Sequence, residues 1–383
     1  MIARFNEQSG RAVSELPSWH FCDNEQDAND CALLVLNGVK QATTPSLYWF
    51  KANNESLPEV GDLAIFTNWQ GQPLGIIETV SVTITPYNQI SADYAALEGE
   101  GDKSLEYWQH VHWDYYQREL AGTGYQCHPE MPLVCEQFRM NTNPVVLITG
   151  GGRGIGAATA KLFAKHGYGV CINYKSDHAS AAQVADEIKA LGVNAYLLQA
   201  DIADEQQVLA MFAKLDTQVS RLDVLVNNAA MMMPQMPLLE MDAKRINAIL
   251  SCNVTGAFLC AREAIKRMDK GSIVNVSSGA SRTGSPNEYL DYAASKGALD
   301  TFTIGLAKEV ASKGIRVNGV RPGLIYTDMH RDGGEANRVD RLKSKLPLGR
   351  GGEAEEVASA IYFLASEQAS FTTGSFIDVS GGL

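Results

Sequence analysis

The chain has 383 residues, 44 acidic side chains against 32 basic ones, and 45% apolar residues. The length suggests two domains, and the ordinary apolar share excludes a disordered or collagen-like chain. No apolar run approaches the ~18 residues of a membrane helix, so no span is predicted, and the start, Met1-Ile-Ala-Arg-Phe-Asn-Glu7, lacks the apolar core of a secretory signal.

The seven cysteines are scattered, with no Cys-x-x-Cys pair, which argues against a disulfide framework and a structural zinc site. A reducing cytoplasm is the expected location, and no metal site is expected. Charge is uneven: residues 1–140 hold 7 bases and 19 acids, while residues 141–383 hold 25 of each. All five tryptophans, Trp19, Trp49, Trp69, Trp108 and Trp113, also lie in the first part. Such a shift marks two domains, 1–140 and 145–383, with a linker at 141–144. The net charge of −12 disfavours a nonspecific duplex-binding surface.

In chain order, Asp27–Leu36 reads as a short helix stopped by Asn37-Gly38. Asp62–Thr67 and Gly75–Thr85 read as strands, Ser104–Leu120 as a helix and Pro132–Phe138 as a last strand, together a small α+β or barrel domain. Past the seam Phe138–Pro144 come strand candidates Val145–Ile148, Gly169–Asn173, Ala195–Gln199, Val224–Asn227, Ser272–Val276, Arg316–Val320 and Phe376–Val379, most of them separated by helical stretches. That alternation predicts a doubly wound α/β domain with a parallel sheet.

The first strand-to-helix turn of this domain is Thr149-Gly-Gly-Gly-Arg-Gly-Ile-Gly156. Glycines there let the backbone approach a pyrophosphate, and the helix N-terminus offers free N–H groups to the anion. The second strand ends in Tyr174-Lys175 with no acid to hold a ribose 2′-hydroxyl, and Arg153 lies in the glycine turn. Two cations and a hydroxyl suit a 2′-phosphate, hence NADP, with NAD as the alternative; two solvated bases are the plainer reading.

Tyr292 and Lys296 stand one helical turn apart on one face. A free tyrosine is a poor base at neutral pH, and lowering its pKa by ~3 units needs ~4 kcal/mol, which two nearby cations would supply. Ser277-Ser278 and Asn227-Asn228-Ala229-Ala230 follow strands at the sheet edge where such folds bind ligands. Asn253 lies inside the helical stretch Ala243–Met268, where an Asn is usually an exposed polar residue. Arg321-Pro322-Gly323 follows another strand and is placed to border a nicotinamide.

On these motifs, in this order, residues 145–383 resemble the short-chain dehydrogenase/reductase family. The resemblance implies a Rossmann-type fold. It assigns Tyr292 as general acid/base, Lys296 to the ribose and to depressing the tyrosine pKa, and Ser278 to the substrate carbonyl. It gives Asn253 a water relay, Asp201 the adenine and Thr327 the carboxamide. Gly150, Arg153, Gly154, Ile155, Gly156, Tyr174, Lys175, Asn228, Pro322 and Gly323 complete the cofactor set. A small carbonyl or alcohol substrate and a homo-oligomer, dimer or tetramer, are implied as well. Two departures are visible: Ala230 replaces the usual Gly, and the Ser278-to-Tyr292 spacing is one residue longer, which keeps Ser277 as an alternative. Substrate identity would lie in Met231–Leu239 and Tyr326–Lys345.

In the first domain, Lys40 and Thr43 follow a helix end, and period two places Ile76, Glu78, Val80, Val82 and Ile84 on one strand face. A carboxylate on such a face needs a partner such as Lys40 or a raised pKa, unless it sits at a barrel mouth. Glu98-Gly-Glu-Gly-Asp102 reads as a solvated, N-capping turn, since its acids lack full EF-hand spacing. These motifs, over about residues 21–138, resemble the ASCH family of small PUA-like barrels. That likeness implies RNA or modified-nucleoside binding or hydrolysis of acylated cytidine, with Lys40, Thr43 and Glu78 as the reacting set. The whole reads as an NADP-dependent oxidoreductase with an appended domain. The alternatives are an NADP(H)-sensing regulatory protein and two independent enzymes in one chain.

Overall fold

The computed structural model describes residues 2, 5, 6, 13–140, 143–219 and 221–383. Asn141 and Thr142 of the expected linker lie outside them. Contacts divide the chain into two compact units, Met1–Thr142 and Asn143–Leu383.

The first unit is built on a mixed five-stranded sheet in the order β1-β3-β4-β5-β2. Its strands are β1 Ser18–Trp19, β2 Ala42–Thr43, β3 Leu63–Thr67, β4 Pro73–Pro86 and β5 Pro132–Met140. Among the described residues no strand pairing closes it into a barrel. Helices Glu25–Leu36 and Leu105–Glu119 begin at Asn24 and Ser104, whose side chains accept backbone N–H groups of the first turn. One core gathers Phe21, Val35, Phe66 and Phe138, and another gathers Trp108, Tyr116 and Leu133. The period-two face expected along β4 breaks at Val80, where Thr79 pairs with Phe138 and Ser81 with Gln137. Val80 is the extra residue of a bulge, which reverses the alternation and leaves Val80 and Ile84 exposed.

The second unit carries seven parallel strands in the order β12-β11-β10-β9-β6-β7-β8. These are β6 Val145–Ile148, β7 Gly169–Tyr174, β8 Ala195–Gln199, β9 Val224–Asn227, β10 Gly271–Val276, β11 Ile315–Pro322 and β12 Phe376–Val379. Strands β6, β7 and β9 are buried throughout, because helices cover both faces in two apolar layers. The strand order reverses between β6 and β9, which opens a crevice at their C-terminal ends. The helical stretch Ala243–Ile265 is long and apolar enough to cross a membrane by length and composition, beyond what a count of consecutive apolar residues registers. Its inner face packs on β9 and on the helix Leu290–Glu309.

Candidate active site

The turn after β6 is drawn tight by two side chains. Thr149 Oγ1 donates to the Val226 carbonyl at 3.3 Å and accepts the Asn228 and Ala229 N–H groups at 2.9 and 3.0 Å. Asn228 Nδ2 donates to the Thr149 and Gly150 carbonyls at 2.9 and 3.1 Å. Gly150 and Gly154 adopt φ of 63° and 49°, where a side chain is strained. A Cβ at Gly156 would lie 2.6 Å from Asn228 Nδ2 and closer still to the Gly150 carbonyl. The helix Gly154–Lys165 begins at Arg153 with no side-chain cap. Bare backbone, uncapped N–H groups and no room for a Cβ form a cradle that fits a dinucleotide pyrophosphate.

At the far end of the cradle, β7 finishes in Tyr174, whose hydroxyl lies 2.8 Å from His178 Nδ1. Exposed Lys175 lies 2.7 Å from Asp201 Oδ2, and Arg153 3.3 Å from Asp332. Both expected phosphate-binding bases thus have carboxylate partners.

A cavity of about 340 Å³ opens at the C-terminal ends of the strands and is lined by Asn228, Ser278, Tyr292 and Lys296 together with Ile155, Pro322, Gly323 and Thr327. Tyr292 and Lys296 are buried one turn apart on the helix Leu290–Glu309. Lys296 Nζ donates to the Val276 carbonyl at 2.7 Å and lies 5.6 Å from the Tyr292 ring centre. Burial pushes the Tyr292 hydroxyl up to about 12, against a hydrogen bond with Ser278, and takes the Lys296 ammonium down to about 8. With the ammonium turned to a carbonyl, desolvation dominates here, whereas the expected depression of the tyrosine pKa draws on the lysine and a bound nicotinamide together. Ser277 is buried and donates to the Lys296 carbonyl at 3.3 Å, which leaves Ser278 as the serine bonded to Tyr292. Between Ser278 and Tyr292 the chain turns through Gly284, Ser285 and Asn287, all at positive φ.

Asn253 departs from the usual exposed mid-helix Asn. It is buried in a π-helical turn, Ser251–Thr255, rather than exposed; such turns recur at functional sites. Its Oδ1 accepts the Met231 N–H at 2.6 Å, and its Nδ2 donates to the Met231 carbonyl and Ser295 Oγ, both at 3.0 Å. Ser295 Oγ donates in turn to the Tyr292 carbonyl at 2.7 Å. Arg321 is a correction: it pairs with Asp300 at 2.9 Å and stacks 3.8 Å over Phe376, while its neighbours Pro322 and Gly323 line the cavity. Sequence reasoning missed Arg245 and Asp291, a buried pair beside Tyr292, and His330 and Arg338 on the cavity wall. Asp291 carried one signal, its adjacency to Tyr292.

In the first unit the expected set is redistributed. Buried Lys40 donates to Glu98 at 2.7 Å and to Glu100 at 2.6 Å. Glu98 also accepts from Trp108 Nε1 at 3.0 Å and from the Thr44 hydroxyl, and His112 Nε2 lies 3.5 Å away. Burial opposes both charges, yet Glu98 and Glu100 raise the Lys40 ammonium well above its ordinary value, and Lys40 with His112 holds Glu98 below the usual carboxylate range. Glu98 therefore sits in the core rather than in a solvated turn. Glu98, Glu100 and His112 bring ligand atoms within 4.8 Å of one another, and the Lys40 ammonium is bonded to both carboxylates. Glu78 pairs instead with Arg139 at 2.9 Å. Thr43 is half-buried on β2, its carbonyl accepting from the Tyr94 hydroxyl at 3.1 Å.

Residues 150–383 match the family described as enoyl-(acyl carrier protein) reductase, and residues 17–142 match the ASCH domain. The uncharacterized oxidoreductase YgfF of Escherichia coli K12 is 57% identical over 244 residues, 62% of this chain and 99% of that one. The 3-oxoacyl-[acyl-carrier-protein] reductase FabG of Staphylococcus aureus is 36% identical over 247 residues, 64% of this chain and 99% of its own. A crystal structure of a short-chain dehydrogenase from Burkholderia cenocepacia in complex with NADP is similar at 33% identity and a TM-score of 0.59, covering 63% of this chain and 98% of that one.

Proposed function

This chain belongs to the short-chain dehydrogenase/reductase family and carries an ASCH domain, and from that premise we propose that it is an NADP-dependent reductase of a small carbonyl compound, working reversibly on the alcohol. The observation that carries the reading is the meeting of Ser278, Tyr292 and Lys296 in one cavity beside the glycine cradle. A nicotinamide dinucleotide bound there would supply the hydride in one direction and accept it in the other. Ser278 hydrogen-bonds the carbonyl oxygen, and Tyr292 gives that oxygen its hydroxyl proton as the carbon is reduced. Burial keeps Tyr292 protonated at neutral pH, the form an acid needs. Lys296, which here donates to the Val276 carbonyl, would hold the ribose of a bound dinucleotide, and its charge would stabilise the phenolate that remains. Asn253 has both amide hydrogens taken by Met231 and Ser295, so a water on the path that returns the proton would be held by one of its oxygens.

Gly150, Gly154, Ile155 and Gly156 would hold the pyrophosphate, Asn228 braces their turn, and Asp201 would meet the adenine. Pro322, Gly323 and Thr327, which line the cavity, would border the carboxamide. Lys175, Tyr174 and Arg153 favour a 2′-phosphate, which requires Lys175 and Arg153 to exchange their carboxylate partners for it. The absence of an acid at the end of β7 and the NADP in the Burkholderia structure support that preference. The cavity wall of Met232, Leu324, Met329 and Leu346 favours a substrate with an apolar side. The test follows NADPH and NADH oxidation with a panel of aldehydes, ketones and quinones. Carbonyl-dependent NADPH oxidation well above that of NADH supports the reading, and none with any carbonyl contradicts it.

A second reading concerns the ASCH domain and is favoured by the buried Lys40–Glu98–Glu100 network. It takes a small modified nucleoside, with water cleaving an acylated cytidine to cytidine and a carboxylic acid. Thr43 would be the nucleophile; Lys40, held as an ammonium by Glu98 and Glu100, would stabilise negative charge rather than take the Thr43 proton, and the Glu98 carboxylate would take that proton in place of Glu78. Release of cytidine from an acylated cytidine, lost in Lys40→Met and kept in Tyr292→Phe, tests it. In the regulatory alternative the second unit senses NADP(H) without turnover.

A further inference from the structure

Between the helix Ala243–Leu250 and the Tyr292 helix lies a buried ion pair, neither member of which lines the cavity. Arg245, on the helix Ala243–Leu250, donates from Nε to Asp291 Oδ2 at 2.7 Å, and the two side chains are 9% and 2% exposed. Its Nη1 donates to the Pro234 carbonyl at 2.7 Å. The other Asp291 oxygen accepts the Tyr292 N–H at 2.8 Å. One guanidinium thus bridges the loop 231–237, whose Met232 lines the cavity, to the residue preceding Tyr292.

Asn253, eight residues along the same helical stretch, makes a parallel bridge from Met231 to Ser295. The loop is therefore held at residues 231 and 234, and the Tyr292 helix at residues 291 and 295. We propose that Arg245 is a positioning residue for carbonyl reduction: through Asp291 and Pro234 it fixes the distance between the loop that seats the substrate and the Tyr292 hydroxyl. The inference rests on the reductase reading of Tyr292.

Two arguments carry it. A buried ion pair is a poor stabilising device, since apolar residues of similar volume commonly hold a fold as well or better. What an apolar pair cannot do is grip a loop carbonyl and a helix end at fixed distances. A misplacement of about 1 Å at a reacting centre costs on the order of 10²-fold in rate.

The test compares the full-length protein with Arg245→Lys, Arg245→Met and Arg245→Met/Asp291→Asn. Three quantities are read with NADPH present: melting temperature, hydrogen exchange of the amides in 231–237, and kcat and KM on the best carbonyl. Arg245→Met leaves Asp291 buried without its cation and lowers the melting temperature. The double variant removes both charges, keeps an acceptor for the Tyr292 N–H, and recovers the melting temperature. Its kcat nevertheless stays about 10- to 100-fold below wild type, its loop exchanges about tenfold faster, and NADPH affinity holds within about twofold. Arg245→Lys keeps the charge but holds one partner at a time, so its kcat falls between wild type and Arg245→Met. The proposal is overturned if kcat in the double variant recovers together with the melting temperature, or if loop exchange is unchanged. Absence of carbonyl turnover in the wild type overturns the reductase reading instead, and the exchange comparison still decides whether Arg245 holds the loop.

Discussion

The Lys40 ammonium donates to the Glu98 carboxylate across 2.7 Å, and the two side chains are only 2% and 1% exposed. Neither charge is tolerable there alone, so the ASCH domain depends on both staying ionised. Glu98 is held below its ordinary carboxylate value, 4.5, so its contribution is present above about that pH and is lost as the pH falls further. Glu98→Gln is expected to cost this unit about 3 kcal/mol at neutral pH and to flatten its loss of stability in acid. Tryptophan fluorescence during urea unfolding reads this unit alone, because all five tryptophans lie in residues 1–140. An acid limb as steep as the wild type's would contradict the assignment.

Lys296 favours its neutral form in the fold where Glu98 favours its ionised form, yet the stability slope has the same sign. Burial takes its folded pKa from 10.5 to about 8, so above pH 8 the unfolded chain binds the extra proton and stability rises with pH. By pH 10 the rise reaches about 2–3 kcal/mol. Above pH 10 Tyr292 reverses the slope, since burial raises its folded pKa to about 12 and the unfolded chain loses the proton first. Lys296→Met should abolish the rise between pH 8 and 10 and be the more stable protein at pH 7 without dinucleotide. Urea unfolding at pH 7, 9 and 10, followed by circular dichroism, measures both.

Gly156→Ala adds one methyl group 2.6 Å from Asn228 Nδ2, and the glycine turn has to shift to admit it. Alanine is the better helix former, but the overlap is with the Gly150 backbone carbonyl, so some loss of stability should accompany it. Affinity for NADPH, read from its fluorescence on binding, should fall by tenfold or more. Unchanged affinity would remove the cradle from the dinucleotide site.

Lys175→Ala should lower kcat/KM for NADPH by about 10- to 100-fold and leave the value for NADH within about threefold. The pair with Asp201 is exposed on the lysine side, so little stability is at stake. Equal losses with both dinucleotides would place the 2′-phosphate elsewhere.

Tyr292 and Lys296 were legible because four residues make one helical turn, and the glycine turn because its place between strand and helix is a local property. Glu98 was not legible. Glu-Gly-Glu-Gly reads as a solvated turn, but Gly99 and Gly101, at φ of 73° and 55°, reverse the chain, and both carboxylates meet Lys40. Gly99 also packs so closely that a Cβ would lie 2.6 Å from the Val39 carbonyl. A bulge at Val80 and a π-turn at Asn253 each shift the phase of a regular element by one residue, which a fixed period cannot register. Arg245 was hidden because its partners, Pro234 and Asp291, come together only in the folded chain.

The central claim is that the Tyr292 hydroxyl gives its proton to a bound carbonyl. The direct measurement compares wild type with Tyr292→Phe, following NADPH oxidation on the best carbonyl of the panel and NADPH affinity by fluorescence titration. Loss of a positioned proton donor is expected to cost turnover by about 10²- to 10⁴-fold, with NADPH affinity within about twofold of wild type. Wild-type turnover in Tyr292→Phe would contradict the claim.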